Sequence, residues 1–594
     1  MNKLAAVPIS FCILAAAAVL SPVLAGEFDV VIDRTYTVES GGAITVVETH
    51  RVTNNSENLL ISRTNEETFQ IPVVGDNEPA LQQSVQTAVI TAEGATLNPN
   101  IVYKERFAEL RVPYPRELRR GQTLEFTLQY TNFGLVEKSG ALFDIYAPGF
   151  VEDFKFSQGL TDVRYNTTFR LASGLPENNF IIPDPASNQV SGGYRVVTFT
   201  QESLIGRTVW IQMGRTQFYS FNITQVAPAT DSRNSGYMNE YRIVLPRSID
   251  EVEIMQNVYF TSITPDPFQV LEDSEGNLIG YFKVPSHENT RIVVEGYAEV
   301  AAKEEEIRPD IAGTLAEITA DQVMEYTGPA EFWEVGAPQI QSLAADLRGS
   351  EMNVYEIVED TYRHVVDTID YSEIKRFGIN ERQGALKTLN GGAAVCMEYS
   401  DLFLTLTRAQ GIPARAAFGY GYDSRLPDNQ QEAHQWVQVF MPGSGKWVSV
   451  DVTWGESGPA LIGGDLNHFF THTAGLHPNQ PAMVERVSYG DNLQLDAPEF
   501  RFSAVESIPQ SIFTTSPQEL LQRYPEVESF DINQSLSSFV TGLRGAFSGS
   551  NPSAMGQVMV ICGGVLAFAA VLFLFSLVIR GGKKQQFQTP ELHP

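Results

Sequence analysis

Apolar and polar positions alternate through the first third of the chain. Phe28, Val30 and Ile32 occupy every second position, and Leu124, Phe126, Leu128 and Tyr130 do the same in TLEFTLQY, the cleanest period-two run. Alternation of this kind puts the apolar side chains on one face of a β-strand. Turn clusters at Ser40-Gly41-Gly42, Asn54-Asn55-Ser56 and Ser191-Gly192-Gly193 punctuate the runs, so a β-sandwich-like domain is expected over residues 26–210. A second β domain is expected over 211–302, with YRIVLP (Tyr241 to Pro246), VEIM and RIVVEGYAEV as strands.

The period changes after the acidic linker Lys303-Glu304-Glu305-Glu306. Val354, Ile357, Val358, Tyr362, Val365, Val366 and Ile369 share one helical face, with His364 off that stripe and read as solvated. Met397, Leu402, Phe403 and Leu406 repeat at helical spacing until Gly411 ends the pattern. Val437 and Val439 then alternate with polar residues between His434 and Phe440. Trp447, Ser449 and Asp451 fall on one face of the next run, and Gly443-Ser444-Gly445 supplies the turn between them. Helices followed by a hairpin predict an α+β domain over 303–488, and 489–556 reads as a juxtamembrane stalk. Within it Ile532, Leu536, Phe539, Val540, Leu543 and Phe547 keep helical spacing, but the Ser and Gly content opposes a stable helix.

The two ends predict location. Residues 1–25 carry Lys3, an apolar run and Val23-Leu24-Ala25, as a secretory signal peptide does. Gln557 to Ile579 is uncharged, apolar and long enough for one transmembrane helix, and Arg580, Lys583 and Lys584 follow it. The expectation is a single-pass type I cell-membrane protein with its ectodomain outside the cytoplasm and a short cytoplasmic tail over 580–594; an uncleaved signal acting as a second anchor is the alternative.

At 594 residues, 43% of them hydrophobic, the chain calls for several folded domains. Its formal net charge of −30 argues against a nucleic-acid partner, because phosphates need a basic face. A membrane contact is expected only through the C-terminal helix, and the β domains are expected to act as spacers, scaffolds or binders of an envelope or surface partner. Asn54, Asn166, Asn222 and Asn533 head Asn-x-Ser/Thr sequons, which matter only where the cell glycosylates them.

Of three cysteines, Cys12 lies in the signal and Cys562 in the apolar span, so Cys396 is the one ectodomain thiol and no internal disulfide can form there. Cys396 opens a helix after Asn390-Gly391-Gly392, where the helix dipole favours a thiolate and free N–H groups could face an oxyanion. Thiol chemistry also needs an imidazole to take the proton and a carboxylate to orient that imidazole. His434 and Asp451, on adjacent strands of the hairpin, are the candidates. Each also has a plainer reading: a small buried thiol, a satisfied histidine, a turn aspartate.

The order of Gly-rich turn, Cys, helix, Gly411-Ile412-Pro413-Ala414-Arg415, strand, His434-x-Trp436, hairpin and Trp447-x-x-x-Asp451-x-Thr453 resembles the core of the transglutaminase-like superfamily. The resemblance covers about Met324 to His477. It implies a papain-like α+β core with Cys396 as nucleophile, His434 as general base and acid, and Asp451 as orienting carboxylate. The implied reaction is acyl transfer from a protein or peptide amide through a Cys thioester, ending in hydrolysis or transamidation. Trp436, Asn390 and His468 are expected to line the cleft, with Asn390 also serving as a turn residue. His472 sits with His468 among Phe469 and Phe470, beside the cleft or in the core.

No cofactor is expected. Cys396, His434, Asp451 and His468 are zinc-ligand types, yet no paired CxxC or HxxxH spacing accompanies them. Calcium dependence, known in some family members, has no supporting motif here, since Asp423, Asp428 and Glu432 lack a calcium-loop spacing. The fold class expected is thus multidomain: N-terminal all-β sandwich-like domains, an α+β papain-like, transglutaminase-like core, and a single C-terminal transmembrane helix. The alternative function is a non-catalytic surface scaffold or binding protein carrying a degenerate core.

Overall fold

The computed structural model describes residues 27–526 apart from 41–43, 58–60, 75–76, 149–160, 205–206, 231–235, 379–380, 423–431, 455–460 and 489–490. The chain divides into two compact units, Met1–Pro525 and Glu526–Pro594, and every described strand and helix belongs to the first.

Period-two patterning produces the first β region. Phe28–Val38 pairs antiparallel with Ile44–Asn54 and parallel with Thr161–Ala172, and Ile44–Asn54 pairs antiparallel with Thr123–Asn132. These strands belong to an eight-stranded sheet, with a four-stranded and a three-stranded sheet beside it. In TLEFTLQY the residues Leu124, Phe126, Leu128 and Tyr130 are all buried, as their alternation requires, and join one core with Phe28, Val30, Ile32, Tyr36 and Phe169.

The second β region is two five-stranded sheets. One orders Ile249–Asp250, Ile254–Thr264, Thr290–Ala302, Thr216–Ala227 and Glu499–Val505. The other orders Gln269–Glu272, Leu278–Pro285, Met238–Leu245, Val484–Ser488 and Asp491–Gln494. Here the structure differs from the expectation of a stalk beginning at residue 489. Asp491–Gln494 and Glu499–Val505 are strands of this second region, and Phe502 is buried in its core. The helical region and its sheet are therefore an insertion in the second β region, whose last strands return after it. Asp491–Gln494 pairs with the neighbouring Val484–Ser488, but Val484–Ser488 and Glu499–Val505 pair with strands over 200 residues earlier, which leaves no local signature beyond their own alternation.

The inserted α+β domain is built on one antiparallel sheet ordered Leu461–Ile462, Lys446–Asp451, Glu432–Met441, Ala414–Gly421 and His468–Ala474. Helices Pro338–Arg348, Val354–Thr368 and Cys396–Ala409 share a core with it, through Ile340, Ile357, Val365, Leu402, Phe403, Val437 and Val450. The Lys446–Asp451 strand meets the Val354–Thr368 helix where the Tyr362 hydroxyl donates to the Asp451 carbonyl at 3.2 Å.

No helix among the described residues is long and apolar enough to cross a membrane. The expected signal peptide at 1–25, the span at 557–579, the tail at 580–594 and the stalk beyond 526 lie outside the described residues.

Candidate active site

Cys396 is the first residue of the helix Cys396–Ala409, behind Val395 in extended conformation. Two interactions set this helix start. The Val395 N–H donates to the Glu398 carboxylate at 3.1 Å, and Glu398, fully buried, pairs with Lys375 at 2.6 Å. An acid in the first turn satisfies an otherwise orphaned N–H and suits the positive helix end. One turn on, buried Asp401 takes two bonds from Arg382 (2.8 and 2.6 Å), one from the Trp333 indole (2.9 Å) and one from Gln435 (3.2 Å). The Ser400 hydroxyl donates to the Gln435 carbonyl at 2.9 Å. The helix is thereby tied by polar bonds to the strand that bears His434.

His434 Nε2 lies 2.9 Å from Asp451 Oδ2, and the Cys396 side chain is near enough to favour the charged imidazole. With Nε2 engaged by the carboxylate, Nδ1 is the nitrogen left for the thiol. The other carboxylate oxygen, Oδ1, accepts the N–H groups of Thr453 (2.8 Å) and Trp454 (3.2 Å), which fixes its plane. Both His434 and Asp451 are buried. Burial opposes a charged imidazole, but the Asp451 charge and hydrogen bond outweigh it and push His434 up to about 10. Burial likewise opposes ionisation of Asp451, and the two imidazoles beside it hold its carboxyl far below the usual range.

The second of those imidazoles is His468. Its Nε2 lies 3.1 Å from Asp451 Oδ2 and its Nδ1 lies 2.6 Å from Asp465 Oδ1. Burial works against its charge, but Asp465 and Asp451 raise it to about 9. The ring sits between the indoles of Trp454, 4.6 Å away, and Trp436, 4.9 Å away and edge-on.

Trp436 lies on the same face of its strand as His434, with ring centroids 6.0 Å apart, and donates its indole N–H to Ser449 Oγ at 3.0 Å. Ser449 in turn donates from backbone and hydroxyl to buried Glu251 of the second β region at 2.6 and 2.8 Å. Trp454 packs where Gly421 leaves room: a Cβ there would come within 2.5 Å of the indole, and its ring centroid is 5.5 Å from that of His434.

Asn390 is exposed, and its side-chain N–H donates to the Leu386 carbonyl at 2.7 Å, closing the helix Ala385–Leu389. His472 is buried, stacked on Phe418 at 4.7 Å, and pushed down to about 3 by burial and by the Arg247 charge. Residues the sequence reading passed over are Glu398, Lys375, Asp401, Arg382, Glu251 and Asp465. Of these only Asp465 left a local signal, an Asp-x-x-His spacing at a strand entrance.

His434, Asp451 and His468 form the one cluster of metal-ligating type among the described residues, with donor atoms within 4.8 Å of one another. Those atoms are hydrogen-bonded to each other, both imidazoles converging on Asp451 Oδ2, so the group reads as a proton-sharing chain.

The sequence of residues 341–452 matches the model of the transglutaminase-like superfamily. This stretch is a transglutaminase-like domain. Within it fall the Cys396 helix, the His434 strand and Asp451. No curated protein matches the chain. Among solved structures, a candidate cysteine protease from Cytophaga hutchinsonii is 16% identical, with 50% of this chain and 94% of that one covered and a TM-score of 0.35. A candidate protease from Parabacteroides distasonis is 11% identical over 76% of this chain and 72% of that one, with a TM-score of 0.19. An M1 zinc metallopeptidase from Deinococcus radiodurans is 14% identical over 36% of this chain and 46% of that one, also at 0.19. These three likenesses carry no argument about function.

Proposed function

We propose that the transglutaminase-like domain is a thiol acyl-transfer enzyme acting on protein or peptide amides, with Cys396, His434 and Asp451 as its catalytic groups. The observation that carries this reading is one imidazole set between the Asp451 carboxylate and Cys396, the only thiol among the described residues. His434 takes the thiol proton, and the thiolate adds to the amide carbonyl carbon. The tetrahedral intermediate collapses with cleavage of the C–N bond while His434 returns the proton to the departing amine. Water or a substrate amine, deprotonated by His434, then attacks the thioester carbonyl and releases Cys396. At the first position of its helix, Cys396 has a backbone N–H without an intrahelical acceptor, our choice for one oxyanion donor. We place the enzyme outside the cytoplasm on one C-terminal membrane helix, a reading that rests on the residues of the two chain ends.

The test is the alkylation rate of Cys396 against pH, in the full chain with Cys12→Ser and Cys562→Ser so that one thiol remains, and in the same chain with His434→Ala. A free thiol needs alkaline solution to ionise. Alkylation that stays fast at pH 6 and depends on His434 is the expected result. A thiol that reacts only in alkaline solution, with or without His434, removes the basis of the enzyme reading and leaves the scaffold reading in its place.

A further inference from the structure

We infer that His468, locked as an imidazolium between Asp451 and Asp465, is a positioning residue that shares the Asp451 carboxylate with His434 and sets how firmly His434 holds its proton. The inference rests on the proposed roles of Cys396, His434 and Asp451 and extends them by two residues.

The geometry leaves one protonation state for the ring. Its Nε2 faces Asp451 Oδ2 at 3.1 Å and its Nδ1 faces Asp465 Oδ1 at 2.6 Å. An ionised carboxylate only accepts, so both nitrogens must donate, and an imidazole with two N–H groups is cationic. Both carboxylates are held as acceptors by the backbone: Asp451 Oδ1 by Thr453 and Trp454, Asp465 Oδ1 by Asn467 at 2.8 Å. The result is a chain in which acid and base alternate: Cys396, His434, Asp451, His468, Asp465.

The groups facing His468 come from four sides. Its own strand and the turn before it supply Asp465; the Lys446–Asp451 strand supplies Asp451; the Glu432–Met441 strand supplies His434, with ring centroids 5.3 Å apart, and the uncharged Trp436. From the second β region, Ile249, Ile254, Gln256 and Val300 close a cavity of about 20 Å³ that His468, Asp451 and Asp465 also line, and none of the four is charged. The charges acting on the ring are therefore the two carboxylates and whatever charge His434 carries.

Sharing has a chemical consequence. A carboxylate bonded to one imidazole alone would bind that imidazole's proton tightly and hinder its release to the departing amine. A second cation on the same oxygen atom withdraws part of that attraction. His468 acts on the reaction only through Asp451.

The experiment follows the histidine side chains of the full-length protein by nitrogen NMR across pH, in the wild type, His468→Gln and Asp465→Asn. In the wild type at pH 7, His468 is expected to show two protonated nitrogens. His468→Gln keeps an N–H donor for Asp451 without the charge, and the pH at which His434 loses its proton should rise by about one unit, as removal of a cation some 5 Å away implies. Asp465→Asn weakens the hold on the second proton of His468 and should move His434 in the same direction by less. A neutral His468 at pH 7, or an unmoved His434 titration in either folded variant, overturns the inference; the wild-type spectrum decides even where a variant fails to fold. Failure of the enzyme reading looks different, because there Cys396 alkylation ignores His434 while the His468 result can take either value.

Discussion

Two of the carboxylate-held histidines among the described residues, His50 and His434, share the same kind of clasp, and of these two only His434 has a thiol beside it. In the first β region His50 Nε2 lies 2.7 Å from Glu48 and its Nδ1 lies 2.6 Å from Glu67. Arg34 pairs with Glu48, the Tyr114 hydroxyl donates to Glu67 at 2.8 Å, and Phe69 stacks on the imidazole at 4.2 Å. Burial works against the charge of His50, yet its two carboxylates raise it to about 9. His434 rises to about 10 for the same physical reason. A strongly perturbed histidine therefore does not identify a catalytic centre. What separates the two is the neighbour. His50 spends both nitrogens on glutamates, whereas His434 spends one on Asp451 and keeps the other for Cys396 at a helix terminus. The first arrangement fixes strands together; the second, in the function proposed above, moves a proton.

The comparison can be broken most directly at the nucleophile. Cys396→Ala should lower acyl transfer on the order of 10⁴-fold or more, with an unchanged melting temperature, measured on a peptide amide that the native chain turns over. An unchanged rate would reduce the core to a second clasp like the first. Asp451→Asn should follow with a loss of about 10³-fold or more in kcat, because the amide cannot stabilise the imidazolium. A variant with full activity would show that His434 needs no partner.

The opposite outcome is expected in the β region. Glu67→Ala strands a buried imidazolium and a tyrosine hydroxyl, and should cost about 3–5 kcal/mol of stability in denaturant unfolding. Cys396 alkylation in the folded fraction should not change; a change would mean that the two clasps communicate.

The pH dependence of stability sharpens the contrast. His50 is raised to about 9, so its contribution is complete below the ordinary histidine value near 6.5 and is lost as pH climbs through 9. Burial alone would raise Glu48, but Arg34 and His50 lower it to about 2, so its contribution is complete above about 4.5 and is lost as pH falls toward 2. The first β region should thus be most stable between about pH 4.5 and 6.5 and lose roughly 3 kcal/mol by pH 10. Thermal melts of the native chain and of His50→Gln check this, since the variant should lack the part of the alkaline loss that His50 contributes. The smallest effect is expected at Asn390→Ala, about 0.5 kcal/mol from one exposed helix-closing bond, with alkylation unchanged. A large drop in alkylation would instead place Asn390 at the cleft.

Local patterning made much of the fold legible. The TLEFTLQY run, the stripe from Val354 to Val365 and the hairpin around Gly443 each carry a clear apolar period or turn of their own, so the pattern reports the element wherever its partner lies. The strands Asp491–Gln494 and Glu499–Val505 do not. Asp491–Gln494 pairs with the neighbouring Val484–Ser488, which joins the sheet through the distant Met238–Leu245, and Glu499–Val505 pairs with the distant Thr216–Ala227; such long-range pairing leaves no trace in a short run. The core insertion was invisible for that reason.

The site divides in the same way. The sequence by itself determined which residue types were available, a lone thiol after a Gly-rich turn, a histidine and an aspartate on consecutive strands, because secondary structure and residue chemistry are written locally. Tertiary structure alone decided that Asp451 would serve two imidazoles, that Asp465 would hold the second, and that Glu251 of another domain would brace Ser449 behind Trp436. Those contacts depend on side chains converging from four segments of the chain, and convergence of that kind is a property of the packed whole, where low dielectric and close distance turn neighbouring groups into one titrating unit.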